Sequence, residues 1–282
     1  MNGVRATMWG RAWLYPGVTI IFIFYCEWIH AQLLRPIQID GSAAYSKNFV
    51  DVLAGATDPA AMMGQNGFSA GVAGERPYLL PGMSAFMFAG MYATHRSSAG
   101  LQVQINGAAG YQESLAGISY GRLLGKIRVG ARFNYHRIIV AGYGSSGTAS
   151  ADISLIWDLT DKLRAGILLL NPLPASFGVD NAEKYPSAFR LGAGYDLSNE
   201  CYLFIVAEKF TTATADVNFG LHYNIRQKLF LRLGMHTGIM GPQAAAGWQL
   251  QLFRLYITGS YHPELGLSPG IQLIFKQKKS DE

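Results

Sequence analysis

The sequence predicts an all-β fold, a transmembrane antiparallel β-barrel of about fourteen strands with a short N-terminal helical leader, on three observations. Apolar residues recur at every second position through most of the chain. Short turns alternate with longer loops. Half of the residues are hydrophobic and only 15% are charged, yet after Gln32 no apolar run approaches the ~20 residues that a membrane helix needs. The apolar content is therefore spread over strands, where a period of two collects it on one face. Closing such a sheet with the apolar face outward satisfies every backbone group inside hydrocarbon. A soluble sandwich of the same residues would be left with a large charged core.

Residues 1–31 read as a signal peptide. Arg5 and Arg11 form a positive start, an apolar stretch runs from Ala12 to Cys26, and Ala31 offers a small residue for cleavage before Gln32. Beyond it only Cys201 remains, so no intramolecular disulfide is expected. Residues 32–67 form the leader. It lacks the dyad, and Ser46 as a cap with Phe49, Val50 and Leu53 on one face predicts a short helix that packs inside the barrel or closes its mouth.

Residues 68–276 carry the strands, which are expected to begin near 68, 82, 98, 113, 125, 147, 161, 186, 199, 213, 228, 242, 253 and 265. In "GKIRVGARFNYHR", Ile127, Val129, Ala131, Phe133 and Tyr135 oppose Lys126, Arg128, Arg132, Asn134 and His136. In "ADVNFGLHYNIR", Val217, Phe219, Leu221 and Tyr223 oppose Asp216, Asn218, His222 and Asn224. Short connections such as "LLGK", "LTDK", "LSNE" and "IRQK" alternate with longer ones, "GERPYLLPG", "VAGYGSSG", "NPLPASFGVDNAEKYP", "GIMGPQ" and "HPELGLSPG". An even strand count puts both termini on one side, the periplasmic one in an outer membrane, with residues 277–282 as a solvated periplasmic tail.

Parity sends a polar set into the lumen: Arg128, Arg132, His136, Asp152, Arg164, Arg190, Asp216, Arg232 and Arg254, together with Arg226 and the acids Glu75, Asp158 and Asp196. Such a set either forms an internal salt-bridge network or lines an anion-favouring path. Prolines and aromatics on the longer loops, Pro77, Tyr78, Tyr143, Pro172, Pro174, Phe177, Tyr185 and Pro263, offer preorganised contacts for a partner protein.

Other chemistries find little support. "GYGSSG" fits the dinucleotide fingerprint in letters, but a strand rather than a helix follows it. "GISYG" fits the nucleophile elbow, yet only a tight turn follows Ser119, so a serine hydrolase with His136 is disfavoured. The five histidines after the signal segment have no H-x-x-x-H spacing, and no metal or other cofactor is expected. The net charge of +5 is dispersed by the dyad rather than clustered, which argues against nucleic acid as a partner.

The leader's Gly55, Ala56, Thr57, Asp58, Pro59, Ala60 and Ala61, with Tyr45 to Asn48 before them and the strand count after, resemble the FadL-like outer-membrane barrels. The resemblance is particularly to the small PorV-type proteins associated with type IX secretion. Where that family continues into an N-P-A-G-like turn, this chain has "GQNGFSAG", keeping Asn66 and Gly67. Its loops are short for a transporter of hydrophobic compounds, and its leader is short for a deep plug. The resemblance thus implies a barrel that acts with partner proteins. The expectation is a non-enzymatic accessory subunit of an outer-membrane secretion or assembly complex, contacting lipid and other outer-membrane or periplasmic proteins. The alternative is a FadL-like transporter for small hydrophobic molecules, with the leader as a plug and a lateral opening at strand glycines such as Gly71, Gly74, Gly107, Gly110, Gly192 and Gly194.

Overall fold

The structure, a computed structural model, describes residues 41–277 apart from 65, 174, 178–182, 239 and 240. The signal segment 1–31, leader residues 32–40, Pro174 and the tail from 278 lie outside the described residues. In chain order the strands are β1 (Gly67–Glu75), β2 (Ser84–Ala93), β3 (Ser97–Ala108), β4 (Tyr111–Leu124), β5 (Ile127–Val140), β6 (Gly144–Asp158), β7 (Leu163–Leu170), β8 (Ser176–Phe177), β9 (Glu183–Lys184), β10 (Ala188–Asp196), β11 (Cys201–Phe210), β12 (Asp216–Ile225), β13 (Leu229–His236), β14 (Pro242–Leu250), β15 (Phe253–His262) and β16 (Gly266–Lys276). All but β8 and β9, which form a small hairpin of their own, join one closed antiparallel barrel of fourteen strands. Each barrel strand starts within three residues of its expected position. The seam joins β1 to β16, with Val72 opposite Leu273, so no sheet edge is left unpaired.

Alternation sets which face each residue takes. On β5, Phe133 and Tyr135 are more than half exposed on the outside, while Arg132, Asn134 and His136 are buried between them. That is the reverse of a soluble protein, and it suits a wall with hydrocarbon outside. The connections between β2 and β3, β4 and β5, β6 and β7, β10 and β11, β12 and β13, and β14 and β15 lie at the end of the barrel that also holds the start of β1 and the end of β16. This is called the turn end below, and the opposite end the loop end.

Two expected loops are absorbed into strands. β5 and β6 run on until only residues 141–143 separate them, and β15 and β16 leave only 263–265, so "VAGYGSSG" and "HPELGLSPG" are mostly ladder. Glycine at 142 and 144 has positive φ, which a tight hairpin requires. Arg226 is a further correction. It occupies the turn between β12 and β13 with φ 52° and is exposed, not lumenal.

The leader lies inside the barrel. It forms a 3-10 turn (Gly41–Tyr45), a helix α1 (Val52–Thr57) and a second 3-10 turn (Pro59–Gly64). Its apolar side chains split into two buried clusters. Val52, Leu53 and Met62 pack with Met87 and Met91 of β2, while Tyr45, Phe49 and Ala60 pack with Ile156 of β6 and Tyr202 and Phe204 of β11. Short as it is, the leader reaches both sides of the lumen, touching β2 on one side and β6 and β11 on the other.

Candidate functional site: the plugged lumen

The helix cap is Asp51, not Ser46. Asp51 has extended backbone, and its Oδ1 accepts from Ala54 N at 2.9 Å, satisfying one of the free amides of the first turn. Its other oxygen, Oδ2, accepts from Arg232 Nη2 of β13 at 2.8 Å, so one carboxylate both starts the helix and ties it to the wall. Ser46 instead closes the turn before it. Its Oγ accepts from Asn48 N and Phe49 N at 3.1 and 3.0 Å and donates to Asp196 Oδ1 of β10 at 2.5 Å.

The "ATDPAA" run acquires a physical reading. Pro59 drives Asp58 out of helical geometry, to φ −136° and ψ 108°, and α1 stops there. Ala60 N then donates to Asp58 Oδ1 at 3.0 Å and to Ser154 Oγ of β6 at 2.8 Å. Burial holds the Asp58 carboxyl above the ordinary carboxylate range, against the opposing pull of Ser154 and Arg190. This bend brings leader backbone against the wall at Gly130, where a Cβ would fall 2.3 Å from Ala60 N. On the far side the Tyr45 ring lies over Gly192, where a Cβ would be 2.0 Å from the ring. The inward-facing Gly100, Gly130 and Gly192 mark the plug's footprint, and no lateral gap opens at the expected strand glycines: the ladders continue past Gly71, Gly74, Gly192 and Gly194.

The sequence-expected polar residues divide into three groups. Arg132, Asp152, Arg128, Arg164 and Arg232 converge on the plug. Arg132 pairs with Asp152 at 2.8 Å and donates through Nη1 to Ala56 O of α1. Arg128 and Arg164 share Asp158, each at 2.6 Å, and Arg164 Nη1 also donates to Ser46 O. Arg190 pairs with Glu208 at 2.8 Å, beside the leader's first turn. Asp216 and Arg254 stand apart. Asp216 meets His236 Nδ1 at 2.6 Å at the loop end of β12, and the Arg254 guanidinium lies 3.9 Å over the Phe230 ring near the turn end. Arg128, Arg132, Arg164, Arg190 and Arg232 thus hold acids or plug carbonyls, whereas Arg254 donates to Gln249 Oε1 at 3.0 Å.

His136 is engaged by Ser150 Oγ at 2.8 Å, while Ser119 lies opposite Arg132 in the ladder, so the two are not arranged as a nucleophile and its base. His136 also stacks on Tyr185 with centroids 3.9 Å apart. Tyr185 in turn meets Phe177, which is 4% exposed. Both had been expected on an outer, partner-facing loop. They turn inward because Asn171 N donates to Asp152 Oδ1 at 3.0 Å and Asn171 Nδ2 to Tyr185 O at 2.9 Å, folding the segment over the lumen. Of the other loop residues, Tyr143, Pro172 and Pro263 are exposed, and Pro77 and Tyr78 are half-buried, Tyr78 lying edge-on to His262.

Sequence reasoning missed Asp51, Glu208 and Tyr202, and it placed His222 on the inner face but did not foresee its contact with the leader. Tyr202 donates to Ser42 O at 2.6 Å, and His222 Nε2 lies 3.2 Å from Ser42 Oγ. The available signal was the leader itself: Lys47, Asp51 and Asp58 are its only charges between 41 and 64, and buried charges need partners. On the side of the lumen that the plug does not fill, a recess of about 440 Å³, counted with the solvent at its mouth, is lined by Gln243, Thr258, Ser260, Ser268 and Gln272.

No family model and no curated protein matches the chain. Among solved structures it is similar to the Ralstonia pickettii toluene transporter TbuX, with a TM-score of 0.57 and 10% identity over 80% of this chain and 92% of that one. It is also similar to the deltaS2S3 mutant of the TodX monoaromatic hydrocarbon channel (0.55, 11%, 83% and 96%) and to a Pseudomonas aeruginosa FadL homologue (0.51, 10%, 83% and 96%). At such identity the likeness is one of fold, and this chain has the barrel fold of these transporters and channels.

Proposed function

We propose that this protein is a FadL-like channel for small hydrophobic molecules, seated in a bacterial outer membrane with both chain ends on the periplasmic side. The observation that carries the reading is the leader, which lies in the lumen as a plug and presents an apolar side to β2. Val52, Leu53 and Met62 pack with Met87 and Met91 of β2, and a small recess lies between Val52, Met62 and Met91, bounded also by Gly100, Gln102 and Ser119. Methionines adapt their shape to a passing apolar guest. The named fold relatives include a toluene transporter and a monoaromatic hydrocarbon channel, which supports the same class of solute. The accessory-subunit reading rests on the resemblance and on the loop prolines and aromatics; of these Phe177 packs against Tyr185 and is buried, while Tyr143, Pro172 and Pro263 stay exposed.

The test is uptake of radiolabelled toluene by cells with an intact outer membrane. Cells making the barrel should take it up several-fold faster than cells making a Met62→Trp/Met91→Trp variant present at equal level, while arabinose entry stays the same in both. Equal toluene uptake in the two strains, or faster arabinose entry with the wild type, would sink the proposal.

A further inference from the structure

Six outward aromatic residues mark one plane of the wall. Tyr92, Tyr120, Trp157, Tyr195, Tyr223 and Trp248 come one each from β2, β4, β6, β10, β12 and β14, every one within the last five residues before the turn end. All are 39–60% exposed. Tyr and Trp settle where one end of the ring meets hydrocarbon and the other meets headgroups. The plane of the lipid phosphates at this end is thereby fixed just beyond these rings.

At that level the chain places Arg96, Arg122, Lys126, Lys162, Arg226 and Lys228, all exposed. Arg122 follows Tyr120 by two residues on the same outward face of β4. Backbone bonds join neighbouring turns and hold these residues at one height: Leu123 N donates to Arg96 O, Asp158 N to Lys126 O, and Gln249 N to Lys228 O. None of the six basic side chains has an acidic partner among the described residues. Asp161 and Glu200 are the acids of these turns, and Asp161 lies 3.7 Å from Lys47 of the leader. The loop end, by contrast, mixes Arg76, Arg137 and Lys209 with Glu113, Glu208 and Glu264.

We infer that the turn end is a binding surface for anionic phospholipid, densest where Arg96, Arg122 and Lys126 meet on the adjacent β2–β3 and β4–β5 turns. An ammonium or guanidinium at the phosphate plane is held by the headgroup charge, while its stem lies along the acyl chains. The aromatic plane selects a lipid over an acidic protein as the occupant, because it puts these cations at headgroup depth rather than out in solution. The turn end thus faces a phospholipid leaflet.

The test is native mass spectrometry of the purified, detergent-held barrel with phosphatidylglycerol or phosphatidylcholine added. The wild type should retain phosphatidylglycerol in preference, and Arg96→Gln/Arg122→Gln/Lys126→Gln should lose that preference by about fivefold per charge, about a hundredfold in all. The loop-end set Arg76→Gln/Arg137→Gln/Lys209→Gln should keep it, heat-modifiable mobility confirming that each variant is folded. Were the turn-end variant not to fold, the wild type decides alone: its phosphatidylglycerol should leave as salt is raised while the barrel stays folded. Equal retention of the two lipids by the wild type, an unchanged preference in the turn-end variant, or loss in the loop-end variant overturns the assignment. Displacement of the lipid by excess inorganic phosphate also overturns it, since a bare anion would then suffice.

Discussion

Val129 and Arg128 are neighbours in β5, yet they stand in different solvents. Val129 looks outward near the turn end of the strand, and Arg128 is buried against Asp158. An arginine on the lipid face costs roughly 2–4 kcal/mol only near the bilayer centre, so the sharp test on that face is Phe133, at the middle of β5: Phe133→Arg should sharply reduce the yield of heat-modifiable barrel. Arg128→Val should be milder, because Arg164 still pairs with Asp158 at 2.6 Å and leaves no carboxylate stranded. Comparable yields from the two variants, measured as the fraction shifting mobility on heating, would contradict the inward and outward assignment. At this scale the sequence was fully readable along β5, since a strict period of two admits one assignment of faces. It was not readable at Asp51, whose role depends on Arg232, 181 residues away.

Among elements, the seating of α1 and its flanking turns depends on wall glycines in two distinct ways. At Gly192 the obstacle to a side chain is the Tyr45 ring, at 2.0 Å, whereas at Gly130 it is the backbone of Pro59 and Ala60, at 2.3–2.8 Å. Gly192→Ala alone should destabilise by about 1–3 kcal/mol through overpacking, and the same substitution made in a Tyr45→Ala background should cost much less than it does alone. Gly130→Ala should resist rescue by any side-chain truncation in the leader. Denaturant midpoints in detergent check both, and a Gly192→Ala midpoint equal to wild type would show that the ring does not sit there. Strand positions were legible from the dyad to within three residues. The plug was legible only as a short helix, because 3-10 turns leave no periodic trace and their buried contacts come from β2, β6 and β11. Loop lengths failed for a related reason: "VAGYGSSG" is rich in turn formers, but its residues from Gly144 onward pair with β5, and ladder bonds outweigh local preference.

For the whole molecule, wall and plug make separable contributions. Deleting residues 41–64 leaves the fourteen ladders, which are made by wall residues alone, and exposes Arg132, Arg164 and Arg232 to a water-filled lumen. Planar-bilayer recordings should then turn from closed to conducting, with anions preferred; a closed trace would mean that the wall itself, or the Phe177–Tyr185 pair beside His136, shuts the lumen. The plug's position also dictates an order of events. The leader precedes β1, yet it rests on β6, β10 and β11, and the last ladder to form in chain order is the seam between β1 and β16. Once that seam is zipped, its walls leave no side entrance for three turns bearing Tyr45, Phe49 and Met62. Laid against the far strands while the sheet is still open, the leader would serve during assembly as the mandrel around which the cylinder is rolled shut.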